Sequence, residues 1–190
     1  SSSVTTVTRY HEIAYDTRAP NVRDFSSLVD EIDTQLNSVV RESLIADVEV
    51  GTFLSGGVDS SLITAIASRH AGSLNTFSVG FLEKKYDESG HAAAVARHLG
   101  VKHTAITATS ENCFEILKAL PRAYEEPFAD SSQVPTMLVS SLAKQHVSVC
   151  LTGDGADELF YGYDRYRQFS LLERIRKRIP TVLLPALAQA

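Results

Sequence analysis

The sequence predicts an α/β domain built on an open, doubly wound parallel sheet with helices on both faces. Three observations carry this prediction. Short apolar runs alternate with helical patterns along most of the chain. Two of those runs stop abruptly at glycine-rich turns, after Leu54 and after Leu151. The composition, 44% hydrophobic and 22% charged over 190 residues, is that of an ordinary globular protein with room for one domain.

Taken in order, residues 1–23 carry little periodicity, and Arg18-Ala19-Pro20-Asn21 reads as a turn. Asp24 or Ser26 can cap a helix in which Leu28, Ile32, Leu36, Val39 and Val40 recur at helical spacing. Val48–Leu54 is an extended run, and Ser60–Ala71 reads as a helix with Leu62, Ile63, Ile66 and Ala67 on one face. Leu74–Val79 then predicts a strand, Glu88–Leu99 a helix and Val101–Thr107 a strand. Helices over Glu111–Tyr124 and Pro135–Lys144 precede a last strand, His146–Leu151. Strands of about six residues between helices of about twelve are βαβ units. Right-handed crossovers wind them into an open sheet, whose ligands bind outside the carboxyl ends of the strands. Both glycine-rich turns fall there.

Composition excludes several functions. The net charge of −5 and pI of about 5.7 offer no general attraction for nucleic acid or anionic membrane. No stretch reaches the ~18 apolar residues of a membrane span. Cys113 and Cys150 stand far apart without CxxC spacing, which argues against a disulfide scaffold or zinc cluster and for a reducing cytoplasm. The N-terminus has no signal-peptide pattern. Neither end carries a start methionine or a helix stop, so the chain reads as a piece of a longer protein.

The first chemical signal is Leu54-Ser55-Gly56-Gly57-Val58-Asp59-Ser60-Ser61, between a strand and a helix. Adjacent glycines let backbone N–H groups approach an anion, and the following helix aims its positive end at the same point. Ser55, Ser60 and Ser61 add hydroxyl donors to what reads as a phosphate cradle. No Gly-Lys-Ser/Thr follows, so it is not a Walker A loop. Asp59 beside phosphates is repulsive unless a cation intervenes, which points to Mg2+. The alternative is a plain helix-capping turn with Asp59 at a favourable N-terminal position.

The second signal is Leu151-Thr152-Gly153-Asp154-Gly155-Ala156-Asp157-Glu158-Leu159-Phe160-Tyr161-Gly162-Tyr163. A helical turn would cluster Asp154, Asp157 and Glu158, which repel unless they hold a metal or face a cation. First-turn acids stabilised by a helix dipole explain the same pattern equally well.

These residues resemble a known family. Ser55-Gly56-Gly57-Val58-Asp59-Ser60 is similar to the pyrophosphate loop (PP-loop) of the ATP pyrophosphatases. Thr152–Phe160, followed by Tyr161-Gly162-Tyr163, resembles the second signature of glutamine-hydrolysing asparagine synthetases. Thr76–Phe81, Tyr86-Asp87-Glu88 and Glu126–Ser132 support the match, which covers roughly residues 24–170. The resemblance implies the adenine nucleotide alpha-hydrolase-like fold and an ATP-dependent ligase. In that family aspartate is activated as a β-aspartyl-adenylate with release of pyrophosphate, and ammonia then displaces AMP. It implies that Leu54, Ser55, Gly56, Gly57, Asp59, Ser60, Val79, Thr152 and Gly153 bind ATP and pyrophosphate, and that Asp59 and Asp157 hold Mg2+. Asp154 stands where many members carry the Glu linked to adenylate formation, and is the catalytic candidate. Around Ser131, where other members place an Arg, this chain has Ala129-Asp130-Ser131-Ser132-Gln133.

The resemblance divides the chain into a linker from an N-terminal glutaminase domain over 1–23, the ATP-binding domain over 24–170, and the start of a helical part over 171–190. The family's nucleophilic Cys and a downstream Lys are not in this sequence, so the expectation is nucleotide binding without turnover. Ammonia would come from the glutaminase domain, aspartate or a similar carboxylate would be the substrate, and the full-length protein could be a homodimer. The alternatives are amidation of another carboxylate, in surface polysaccharide or lactam formation, and a non-catalytic nucleotide-binding module. The six histidines show no metal-ligand spacing and read as surface or strand-end residues. Arg165, Arg167, Arg174, Arg176, Lys177 and Arg178 read as a solvated helix or an interface rather than a nucleic-acid patch.

Overall fold

The computed structural model describes residues 6–12, 24–127 and 129–176. The Arg18–Asn21 turn, Phe128, Lys177 and Arg178 lie outside them. The chain forms two compact units, residues 1–35 and 36–190, divided inside helix α1 (Phe25–Ser43). In the first unit, the Leu28 N–H donates to the Asp24 carbonyl at 3.2 Å, and the Ser26 hydroxyl donates to the Asp24 carboxylate. Asp24 thus stands at the helix start, as its sequence implies.

The second unit continues as β1 (Val50–Phe53), α2 (Val58–His70), β2 (Asn75–Phe81), α3 (Ser89–Leu99), β3 (Lys102–Ala108), α4 (Ser110–Ala123), α5 (Gln133–Ala143), β4 (Val149–Leu151), α6 (Ala156–Phe160) and α7 (Asp164–Arg176). All strand pairs are parallel, in the order β3-β2-β1-β4. The chain winds outward from β1 to β3 and then crosses back to lay β4 on the other side of β1. That reversal opens a crevice at the carboxyl ends of β1 and β4, the place where such sheets take ligands. Helix α7 runs unbroken through position 170.

Burial covers both faces of the sheet. On one, Val40, Ile66, Ala67 and Leu74 form a buried cluster, and the Thr52 and Thr64 hydroxyls bond at 3.0 Å to pin α2 to β1. Leu54 packs with Ala92 and Ala96 of α3. On the other, Phe77 packs with Val139, Ala143 and Val147, backed by Phe53 and Val79. Strand parity explains the division, since Thr52 and Phe53 point to opposite faces.

Several expected core positions are exposed. Leu28, Val39 and Leu62 face solvent, while Val40, Ile66 and Ala67 are buried. Strand β4 begins at Val149 rather than His146 because the N–H groups of His146 and Val147 still close the end of α5 on the Ala143 carbonyl, at 2.9 and 2.8 Å. His103 lies at the start of β3, a strand-end position, and is half-buried. Its Nδ1 lies 2.8 Å from Thr76 Oγ1 and its Nε2 3.2 Å from Ser78 Oγ. Thr76 spends its own proton on the Lys102 carbonyl, so Nδ1 carries the ring proton and Nε2 accepts from Ser78. Burial lowers the His103 pKa in the same direction, toward the neutral ring.

Candidate functional site

The first turn is held by its own side chains. Ser55 N–H donates to Ser60 Oγ at 3.2 Å, the Ser55 and Ser60 hydroxyls meet at 2.9 Å, and Gly57 N–H donates to Ser55 Oγ at 3.2 Å. Gly56 has φ +88, and a Cβ there would fall 2.6 Å from Ala92 N of α3, so only glycine fits. The turn is therefore seated on α3 at its base while Ser55, Gly57 and Asp59 are exposed at its mouth. Helix α2 starts at Val58, with Asp59 in its first turn. Ser61 does not join the cradle: its hydroxyl is buried and has no hydrogen-bond partner.

The second turn meets the first backbone to backbone. A Cβ on Gly153 would come 2.9 Å from Ser60 N and 3.0 Å from the Asp59 carbonyl carbon. Glycine at 153 is what lets the two loops close on each other. Asp154 lies ahead of α6 rather than within it, so the expected helical clustering with Asp157 and Glu158 does not form. Glu158 accepts from the Tyr163 hydroxyl at 2.8 Å, which holds its carboxyl below the ordinary range and lifts the Tyr163 hydroxyl above its own. Arg165 lies over the Tyr163 ring at 4.2 Å, and Tyr166 meets that ring edge-on at 5.5 Å.

Together the loops line a cavity of about 360 Å³ at the carboxyl ends of β1 and β4. Ser55, Gly57, Asp59, Ser60, Thr152, Gly153, Asp154 and Asp157, all singled out from sequence, line it; Gly56 supports it from beneath. Leu54, buried, and Val79 line a neighbouring cavity of about 210 Å³. The two cavities share Phe53, Ser55 and Thr136. Sequence reasoning missed Phe53, Thr136, Tyr163 and Tyr86 as lining residues. Thr136 reaches the site through the α4–α5 crossover, which leaves no local signal. Tyr163 and Tyr86 stood inside quoted motifs without a role.

Among the described residues, no group of three or more His, Cys, Asp or Glu side chains could by itself hold a metal. That excludes an all-protein cage among them. The donor set present, Asp59 and Asp157 lining one cavity with serine hydroxyls and open backbone, suits a cation that takes one or two carboxylates and completes its shell with phosphate oxygens and water.

The family profile described as asparagine synthase matches residues 31–190. This chain belongs to the asparagine synthase family. A putative glutamine-hydrolysing asparagine synthetase of Mycobacterium tuberculosis (strain ATCC 25618 / H37Rv) is 42% identical over 139 residues, 73% of this chain and 21% of that protein. Asparagine synthetase [glutamine-hydrolyzing] 1 of Bacillus subtilis (strain 168) is 38% identical over 156 residues, 82% of this chain and 24% of that protein. The chain thus spans under a quarter of the length of these two relatives. Among solved structures, the glutamine-dependent NAD+ synthetase of Acinetobacter baumannii, in complex with ADP, matches with a TM-score of 0.52 at 24% identity, over 76% of this chain and 28% of that one. The NMN synthetase of Francisella tularensis matches at 0.50 and 19% identity, over 70% and 58%. These structural likenesses bear on the fold, an α/β parallel sheet of the PP-loop type. No helix among the described residues is long and apolar enough to cross a membrane.

Proposed function

We propose that this chain supplies the ATP-binding and carboxylate-activating part of an amide-forming ligase of the asparagine synthetase type. In this reading a β-carboxylate oxygen of aspartate attacks the α-phosphorus of ATP. The bond to the β-phosphate oxygen breaks, giving β-aspartyl-AMP and pyrophosphate. Ammonia then attacks the acyl carbon, expels AMP and, after losing a proton, leaves asparagine. Residues 24–170 form the ATP-binding domain, and ammonia is delivered by glutamine hydrolysis, as the names of the relatives suggest.

The observation that carries the reading is that the Ser55–Ser60 turn and the Thr152–Asp157 turn line one cavity at the sheet's switch point. The Ser55 and Ser60 hydroxyls and the N–H groups opening α2 face the place where charge builds on the leaving pyrophosphate. Donors held there before reaction stabilise that charge without reorganising. Asp59 and Asp157 would hold Mg2+, which supplies charge neutralisation on the phosphate oxygens. Asp154, which lines the same cavity, is the candidate for assisting adenylate formation. The neighbouring cavity, floored by Leu54, Phe77 and Val79, takes the adenosine.

Calorimetric titration of the chain with ATP, with Mg2+ and with EDTA, tests this. Expected is binding that weakens at least about tenfold when Mg2+ is removed, a loss of ~1.4 kcal/mol. Equal affinity in EDTA would remove the metal role of Asp59 and Asp157, and absence of binding in both would sink the reading.

A further inference from the structure

The segment between β2 and α3 carries an arrangement that the phosphate cradle does not explain. Strand β2 ends at Phe81, and after seven intervening residues the chain re-enters a helix at Ser89. Asp87 ties these ends together. Its Oδ1 accepts from Phe81 N–H at 3.2 Å and from Ser89 N–H at 3.1 Å. Hydrogen bonding from the Ser89 side chain and from the two N–H groups keeps the carboxyl below the ordinary range. Gly80 leaves the room this needs, since a Cβ there would stand 3.2 Å from Asp87 Oδ1 and 3.1 Å from Ser89 Cβ. Glu88, the residue at the N-cap of α3, makes no side-chain capping bond of its own.

The two residues flanking Asp87 are the ones that matter for a ligand. Tyr86 and Glu88 both line the 210 Å³ cavity, together with the apolar side chains of Phe53, Leu54, Phe77 and Val79. Among the described residues they are its only ionisable lining residues. A largely apolar slot whose lining includes several aromatic rings, the hydroxyls of Ser55, Ser78 and Thr136 and one acceptor-only carboxylate fits a nucleoside, which offers flat apolar faces and N–H and O–H donors. It offers a polyphosphate one carboxylate and no second acid to share a cation with it, unlike the neighbouring cavity with Asp59 and Asp157.

We infer that Asp87 is a positioning residue for the nucleoside end of the ligand: its clasp between β2 and α3 holds Tyr86 and Glu88 on the rim of the apolar cavity. The inference rests on the reading of this cavity as the adenosine site. It assigns Asp87, Tyr86 and Glu88 to nucleoside recognition and leaves the phosphates to the two glycine-rich turns. Asp87 acts through its neighbours and touches no ligand itself.

Titration of the intact chain with Mg2+ and three probes, ATP, AMP and inorganic tripolyphosphate, tests it. Asp87→Ala should weaken ATP and AMP alike, by about tenfold, as expected when charged hydrogen bonds to buried-end backbone donors are lost. Tripolyphosphate binding should stay within about twofold of wild type, since the cradle does not depend on the clasp. Asp87→Asn keeps a carbonyl oxygen able to accept both N–H bonds and should recover most of the loss, which a change of charge alone would not allow. Should Asp87→Ala fail to fold, Ser89→Ala, which removes one hydroxyl from the same clasp, must show the same pattern at smaller size. Equal loss for tripolyphosphate, unchanged ATP binding in the folded variants, or no recovery in Asp87→Asn would overturn the inference. If wild type binds tripolyphosphate but neither ATP nor AMP, the adenosine-site reading fails and the clasp's role falls with it. If wild type binds all three and only the variants behave otherwise, the clasp alone is wrong.

Discussion

The two glycine-rich turns that line the cavity are built on different principles. The Ser55–Ser60 turn is braced from within by its serine hydroxyls and from below by α3, with a buried leucine leading into it. The Thr152–Tyr163 turn has little of this. The Thr152 hydroxyl reaches the Asp154 N–H at 3.4 Å, Gly155 sits at φ +90 with open space around it, and α6 is a single short helix. Its order comes from the packed side chains of Tyr161, Tyr163, Tyr166 and Arg165 and from its backbone contact with Ser60. One wall of the cavity is therefore preorganised by the core. The other borrows its position from the first, so damage to the first should reach both.

The sharpest way to break the comparison is to place the same side chain at the same backbone conformation in each turn. Gly56→Ala must pay left-handed strain and drive a Cβ into the His91–Ala92 backbone. It should lower unfolding free energy by about 3 kcal/mol. Gly155→Ala meets no atom within 4 Å and should cost only the strain, about 1 kcal/mol. Urea unfolding of both variants measures the difference. Equal losses would show that α3 is not what supports the first turn.

Next in size is the division of labour between phosphates and nucleoside. Asp59→Asn should weaken ATP binding in Mg2+ by about tenfold, ~1.4 kcal/mol, and AMP binding far less. In the proposed reading the carboxylate acts through a cation on phosphates that AMP lacks. Titration with both nucleotides measures it. The same loss for both would make Asp59 a support of the loop's shape instead.

The contrast between the turns also explains what was legible in the sequence. Phosphate-loop chemistry is local: two glycines, the serines and Asp59 sit within seven residues, so Ser55, Gly57, Asp59 and Ser60 could be named before any fold was seen. The alternation of strands and helices was equally local and gave the parallel sheet. What could not be read depends on distant chain. Thr136 enters from a crossover helix, and Leu62 and Val39 carry the right period but lie on the rim of a stripe narrower than the pattern. Helix period cannot tell the centre of an apolar face from its edge. The β4 boundary was misplaced because apolar residues at 147 and 149 look alike, and only the bonds back to Ala143 show that the helix has not finished. Asp154 was placed on a helical turn from spacing alone, whereas Gly155, left-handed at φ +90, ends the turn before α6 begins.

The smallest expected effect probes the outer brace of the second turn. Tyr163→Phe removes the hydroxyl that donates to Glu158 and keeps the ring on which Arg165 stacks. In wild type the Glu158 carboxyl is depressed, chiefly by this bond, so its contribution to stability is present above the ordinary carboxylate range and is lost as pH falls through the lowered value. The Tyr163 hydroxyl is raised by the same bond, so its contribution is present below the ordinary phenol range and is lost as pH rises through the raised value. The bond between them is exposed, so solvent screens the pair and the variant should unfold only slightly earlier. The gap between variant and wild type should be widest across neutral pH and close toward both extremes. Thermal melts from acid to alkaline pH measure this shape. A gap independent of pH would mean that the hydroxyl matters for packing and that the second turn does not lean on its Glu158 bond.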